Sequence, residues 1–243
     1  MRIAISGSIM DRVSAVQASI DACHARRYLE IGVNKGLCFL PLRVRRKYGV
    51  DPSPLIPRRI LLRSCVRRPC NALARIYRVT SDEFFAHPPR WLTRHGVDVV
   101  FIDGMHTYEQ SLRDVLNSLH YLRPGGIVLL HDCAPRSAAE AWPGPGYAEV
   151  AAMAVPGWTG LWSGDVWKTV VHLRATEKAL CVFTVDCDLG IGVVTRAPSP
   201  GLLPITPADI GKMTFADLDA DRVRLLGLRP AEGFLSYLTT VGR

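Results

Sequence analysis

The chain has 243 residues, of which 48% are hydrophobic and 21% charged. That balance suits one sizeable α/β unit and excludes a chain disordered from end to end. The longest apolar runs, such as 97–102, fall far short of the ~20 residues that cross a bilayer. The N-terminus lacks the clean apolar core of a secretory signal, so a cytoplasmic protein with no membrane partner is expected.

Seven cysteines are scattered without a CxxC pair. Buried reduced thiols are expected rather than disulfides or structural zinc. Cys133 stands apart because it follows a carboxylate in a candidate site. The net charge of +8 is uneven: eleven Lys or Arg fall between Arg43 and Arg78 against one acid, Asp51. Such a block either binds nucleic acid or an acidic surface, or is a solvated face, or grips a partner subunit. Few aromatics interleave it, so nucleic acid is not the favoured partner. The arginines permit a homo-oligomer.

Residues 8–26 carry Met10, Val13, Val16, Ile20 and Cys23 at helical spacing and predict an amphipathic helix. Strands are expected over 28–33 and 46–50, with room between them only for a shortened helix or a loop. Residues 53–71, rich in Pro and Arg, resist assignment. A third strand is expected over 75–79, then a short helix with Ser81 as its N-cap. VDVVFI, 97–102, is apolar on both faces, as a central parallel strand should be. A helix over 107–122 follows, stopped by Arg123-Pro124-Gly125-Gly126, then a strand over 127–130. Residues 134–164 are long for a loop and suggest a binding loop or lid. A helix over 165–174 precedes a hairpin of 180–185 and 190–195. The tail, 197–243, holds one or two short helices from Pro204 onward.

This alternation predicts a Rossmann-like α/β fold: a mostly parallel sheet, helices on both faces, and a C-terminal antiparallel hairpin. It reads as a single domain, 1–243, with an N-terminal helix (1–26) and a core (27–196). Ligands of such sheets bind outside the carboxyl ends of the strands. Glu30, Asp51, Asp103 and His131-Asp132 all stand at such ends. The first strand leads into Glu30-x-Gly32-x-x-x-Gly36, which either lets a backbone approach a ligand closely or simply makes a tight turn. Asp51, about twenty residues on, can accept the ribose hydroxyls of a nucleoside cofactor, on the logic of the dinucleotide fold.

The ordered segments YLEIGVNKG (28–36), YGVDPSP (48–54), TSDEFFA (80–86) and VDVVFIDGMHTYEQSLRDVLNSLHYLRPGGIVLLHDC (97–133) resemble the motifs of class I S-adenosylmethionine (SAM)-dependent methyltransferases. More narrowly, they are similar to the group of macrolide-sugar and actinobacterial polysaccharide O-methyltransferases. The resemblance implies that Glu30, Gly32 and Gly36 line the methionine part of SAM. Asp51 would hold its ribose, and Ser81 and Asp82 would lie near its adenine. It also implies a metal site, with Asp103 and positions 131 and 132 holding Mg²⁺, and His106 as general base. Position 131 is His where that group has an acid. Magnesium prefers hard oxygen ligands, so His131 weakens the ion, favours a softer one, or leaves the site metal-free.

The chemistry needs such residues. A sugar hydroxyl is a poor acid; a Lewis-acidic metal and an imidazole with pKa near 6.5 make its deprotonation feasible. Each residue also has a plainer reading. His106 or Asp132 would cap a helix, and His131 would be a buried histidine satisfied by backbone. Trp142, Trp158 and Trp162 would be either sugar platforms or a cluster under the long loop. The expected function is SAM-dependent O-methylation of a small-molecule or oligosaccharide acceptor. The rivals are a nucleic-acid methyltransferase and a non-catalytic SAM-binding protein.

Overall fold

All six side chains of VDVVFI are buried, and this strand, β4 (Val97–Ile102), lies at the centre of the sheet. Burying each large apolar side chain is worth about 1.5–3 kcal/mol, so the run fixes where the core forms. The computed structural model describes residues 10–241. Around β4 stand β1 (Arg27–Ile31), β2 (Arg46–Val50), β3 (Arg75–Tyr77), β5 (Leu122–Leu130), β6 (Cys181–Val185) and β7 (Ile191–Thr195), in the order β3-β2-β1-β4-β5-β7-β6. The first five strands pair in parallel, whereas β7 is antiparallel to both β5 and β6. The expected mostly parallel sheet with a closing hairpin is therefore present. The chain reverses its direction of travel across the sheet between β1 and β4, which opens a crevice at their carboxyl ends.

Helices cover both faces. α1 (Arg12–Ala22) starts from Asp11, whose side chain accepts the Ser14 N–H in a reciprocal capping box. The expected beginning of this helix at Ser8 lies outside the described residues. α1 packs on the face formed by Tyr28, Val99 and Phe101. No helix links β1 to β2; turns do, and their Phe39, Leu40 and Leu42 fill the space that a crossover helix would take. Lys47, fully buried on β2, donates to the carbonyls of Phe39 and Leu40 and to Asn71 Oδ1, which pins those turns down.

The unassigned stretch forms α2 (Arg58–Arg67) and a 3-10 turn, Pro69–Leu73. α3 (Ser81–Ala86) is capped by Thr80, whose hydroxyl accepts the Glu83 N–H; Ser81 is its first residue, not its cap. α4 (Arg90–His95) leads into β4, and α5 (Tyr108–Tyr121) packs on β4 and β5. β5 begins five residues earlier than expected, with a register shift against β4. The long segment holds α6 (Tyr147–Ala152) over a small cluster of Ala139, Val150, Val155 and Trp162. α7 (Trp167–Thr176) precedes the hairpin. The tail folds into four short helices rather than one or two: α8 (Pro207–Lys212), α9 (Phe215–Ala220), α10 (Arg222–Leu226) and α11 (Ala231–Leu238). No helix among the described residues is long and apolar enough to cross a membrane.

Candidate active site

Two glycines bring the backbone together at the carboxyl edge. Gly32 has φ +87°, and a Cβ there would strike the carbonyl of Asp103. Gly164 has φ +57° and lies as closely against the carbonyl of His106. The first lets the turn after β1 touch the turn after β4. The second lets the long segment close over the start of α5.

A cavity of about 610 Å³ opens beside them, lined in part by Gly32, Asp51, Ser81, Asp82, Asp103 and His106. Asp51 accepts the backbone N–H of Asn34 (2.7 Å) and of Ser53 (2.7 Å), one on each oxygen. Each oxygen keeps a further lone pair for a ligand hydroxyl. Gln110 Nε2 lies within hydrogen-bond reach of Ser81 Oγ at 3.1 Å, Asp82 Oδ1 at 3.2 Å and Asp114 Oδ1 at 3.1 Å, which share its two N–H groups. Burial pushes the Asp114 carboxyl up to about 6. Glu30 and Gly36 stand behind this wall. Glu30 is buried against the Tyr28 hydroxyl on the α1 face. A Cβ on Gly36, φ +72°, would meet Ile56 and Leu40.

At one side of the cavity the ionisable groups crowd together. His106 Nε2 lies 3.7 Å from Asp103 Oδ1 and 3.4 Å from Asp132 Oδ2. His131 Nδ1 lies 3.4 Å from that same Asp103 oxygen and 2.9 Å from Asp132 Oδ2. His106 Nδ1 is 2.9 Å from the Trp162 carbonyl, a pure acceptor. In the neutral ring the proton therefore sits on Nδ1, and on protonation Nε2–H faces the two carboxylates. The ring also stacks on Trp162, with centroids 5.1 Å apart.

Burial alone would lower both imidazoles. For His106 the bond to Asp103 and the charge of Asp132 outweigh it and raise the pKa. For His131 the charge of Asp132 and the bond to Asp103 hold it well above its usual value. Burial opposes ionisation of Asp103, yet its bonds to His106 and His131 hold the carboxyl far below the usual range. Asp132 sits at φ +61°, a left-handed conformation that Asp tolerates, and accepts from Ser163 Oγ at 3.1 Å.

Two members of this cluster are not legible as strand-end residues. Arg12, at the start of α1, places Nη1 3.0 Å from Asp103 Oδ2. Its Nε and Nη2 donate to the two oxygens of Asp188, in the β6–β7 turn, at 2.9 and 3.1 Å. The Arg12 backbone N–H adds a bond of 2.8 Å to Asp188 Oδ2. Contacts with His131 and Arg12 hold the Asp188 carboxyl below its usual range.

Asp103, His131 and Asp132 offer ligand atoms within 4.8 Å of one another. Both nitrogens of His131 are buried and meet only the carboxylate oxygens of Asp103, Asp132 and Asp188. Imidazole nitrogen beside two carboxylate oxygens suits a first-row divalent ion. The residues thus fit a metal.

The plainer readings fare unevenly. The Tyr108 N–H at the start of α5 is capped by Asp165 Oδ1 (2.7 Å), not by His106. No helix starts at Asp132, and His131 makes no backbone bond through its ring. Trp158 and Trp162 belong to the cluster under the long segment, whereas Trp142 is 39% exposed. Burial raises the Cys133 thiol and leaves it protonated, so it is a packing residue.

Residues 29–133 match the family model described as "Methyltransferase domain". Solved structures share the fold. The SAH-bound methyltransferase PaMTH1 of Podospora anserina is 14% identical, with a TM-score of 0.55 over 76% of this chain and 77% of that one. An O-methyltransferase of Bacillus cereus, in complex with SAH, is 12% identical, with a TM-score of 0.50 over 78% and 84%. No curated protein matches the chain. The chain therefore carries the class I methyltransferase fold, with a segment similar to a methyltransferase domain at 29–133. The cavity lies at the carboxyl edge of that segment.

Proposed function

We propose that the chain is a single-domain SAM-dependent O-methyltransferase acting on a hydroxyl of a sugar, glycoside or oligosaccharide. One observation carries this reading: a histidine whose Nδ1 meets the Trp162 carbonyl and whose Nε2 faces two carboxylates lines a cavity that Asp51 also lines.

Asp51 receives the ribose hydroxyls of SAM, with Ser81 and Asp82 beside the adenine and Gly32 leaving room for the methionine part. Bound SAM supplies an electrophilic methyl group on sulfonium. Asp103, His131 and Asp132 would hold a divalent ion, which would supply Lewis acidity there. His106 Nε2 takes the hydroxyl proton, and the Trp162 carbonyl stabilises the imidazolium through Nδ1–H. The long segment lines one side of the cavity with Tyr147 and Trp162. Holding the acceptor oxygen in line can supply up to ~7–11 kcal/mol of barrier reduction.

Among the described residues, the cavity lining contains Asp51, Asp82, Asp103 and Asp114 but no Lys or Arg. Such a mouth repels phosphates and argues against a nucleic-acid acceptor. The test is methyl transfer to a panel of glycans. His106→Ala is expected to cost about 10²–10⁴ in rate, the usual worth of a general base. EDTA is expected to lower activity, and Mn²⁺ to restore it better than Mg²⁺ because one donor is nitrogen. Full activity under both treatments contradicts the metal-and-base mechanism. SAM binding without turnover on any acceptor favours a non-catalytic role.

A further inference from the structure

The opposite edge of the sheet carries a second concave site, which methyl transfer does not use. Three adjacent parallel strands each begin with arginine: Arg27 on β1, Arg46 on β2 and Arg75 on β3. Arg27 is in register with Arg46, and Arg75 with Tyr48. Residues two apart share a face, so all three guanidinium groups leave the sheet on the side of Leu29 and Tyr48. Arg26 and Arg45 join them in lining a cleft of about 370 Å³. Tyr48 and the half-buried Trp91 form an aromatic wall, their rings stacked 3.5 Å apart at 7°. The indole N–H is already used by Tyr77, at 2.8 Å.

None of these five arginine side chains forms an ion pair among the described residues. The nearby acid, Asp98, is committed elsewhere. Its Oδ2 accepts the backbone N–H groups of Arg26 and Arg27, each at 2.9 Å, and its Oδ1 pairs with Arg123 at 3.1 Å. Like charges facing each other across adjacent strands destabilise a sheet. A concave wall of one sign concentrates the opposite charge.

We propose that this cleft binds a small molecule carrying two or more adjacent phosphate groups. Guanidinium forks match phosphate oxygens bidentately. Five of them offset three to four negative charges, more than one monoanion brings. The volume is that of a small-ligand site, and the aromatic wall suits an attached planar or sugar group. A strand of five residues spans about 16 Å, so this ligand stays clear of the methyl-transfer cavity.

The test is calorimetry and thermal melting of the full chain with inorganic pyrophosphate, ADP and orthophosphate. Pyrophosphate and ADP are expected to bind saturably and raise the melting temperature, with orthophosphate at least tenfold weaker. Tighter binding of ADP than of pyrophosphate assigns the aromatic wall to the base or ribose; equal affinity assigns the site to the phosphates alone. Arg46→Ala and Arg75→Ala are each expected to weaken binding at least tenfold. Without ligand both variants should melt no lower than wild type, because they relieve repulsion; arginines with a purely structural role would lower it. Equal effects of orthophosphate and pyrophosphate, no saturable binding, or tighter binding of a single-stranded oligonucleotide lost in the same variants, would overturn the proposal. SAM binding does not enter the readout, so this test stands apart from the methyltransferase reading.

Discussion

His131 and Glu30 stand at the carboxyl ends of strands but face different surroundings. The His131 imidazole stands among carboxylates, with Nδ1 facing Asp103 and Asp132 and Nε2 facing Asp188. Asp51, Asp103 and Asp132 were readable from sequence because each ends an apolar run. Asp114 and Gln110 were not, since helix positions carry no such signal. Glu30 ends a strand too, but its side chain turns to the α1 face, away from the cavity. Burial, partly offset by the Tyr28 bond, pushes its carboxyl up to about 8. The folded chain then holds a proton that the unfolded chain releases near 4.5. The resulting stability is complete below the unfolded value and is lost as pH rises through about 8. Thermal melts across that window should show wild type losing stability as pH rises, with a flatter profile for Glu30→Gln. Parallel profiles would contradict the buried, protonated carboxyl.

Among the elements, α1 is tied to the site by one side chain. Arg12 bridges Asp103 and Asp188, so the helix, the turn after β4 and the β6–β7 hairpin meet at a single guanidinium. Arg12 and Asp188 lie 176 positions apart, and nothing in either local pattern signals the pairing. Arg12→Ala removes the guanidinium that joins two carboxylates and is expected to cost about 1.5–3 kcal/mol. That lowers the melting temperature by roughly 3–12 °C for a chain of this size. Arg12→Lys should restore only part, because an ammonium cannot span both acids with the same fork. An unchanged melting temperature for Arg12→Ala would show that the bridge contributes nothing. The β strands and α5 were legible because their apolar periods are long and regular. α2 was not, having no buried residue, and the four tail helices have five to eight residues each, too short for a period to emerge.

The uneven net charge resolves into two opposed edges of one sheet. Acids gather at the carboxyl ends of the strands, and arginines at the amino ends. The acidic edge was legible, since four strand ends carry its carboxylates. The basic cleft was only half legible: Arg45, Arg46 and Arg75 fall in the basic block, whereas Arg26 and Arg27 join it only through parallel pairing. The order of the sheet follows from the alternation of apolar runs, and the crevice from the reversal between β1 and β4. Whether that crevice is a cofactor site is settled most directly by titrating the purified chain with S-adenosylhomocysteine in a calorimeter. The account expects one saturable site per chain, at micromolar affinity or about −8 kcal/mol, weakened at least tenfold by Asp51→Ala. An absence of heat, with no thermal shift from either S-adenosylhomocysteine or SAM, would contradict it.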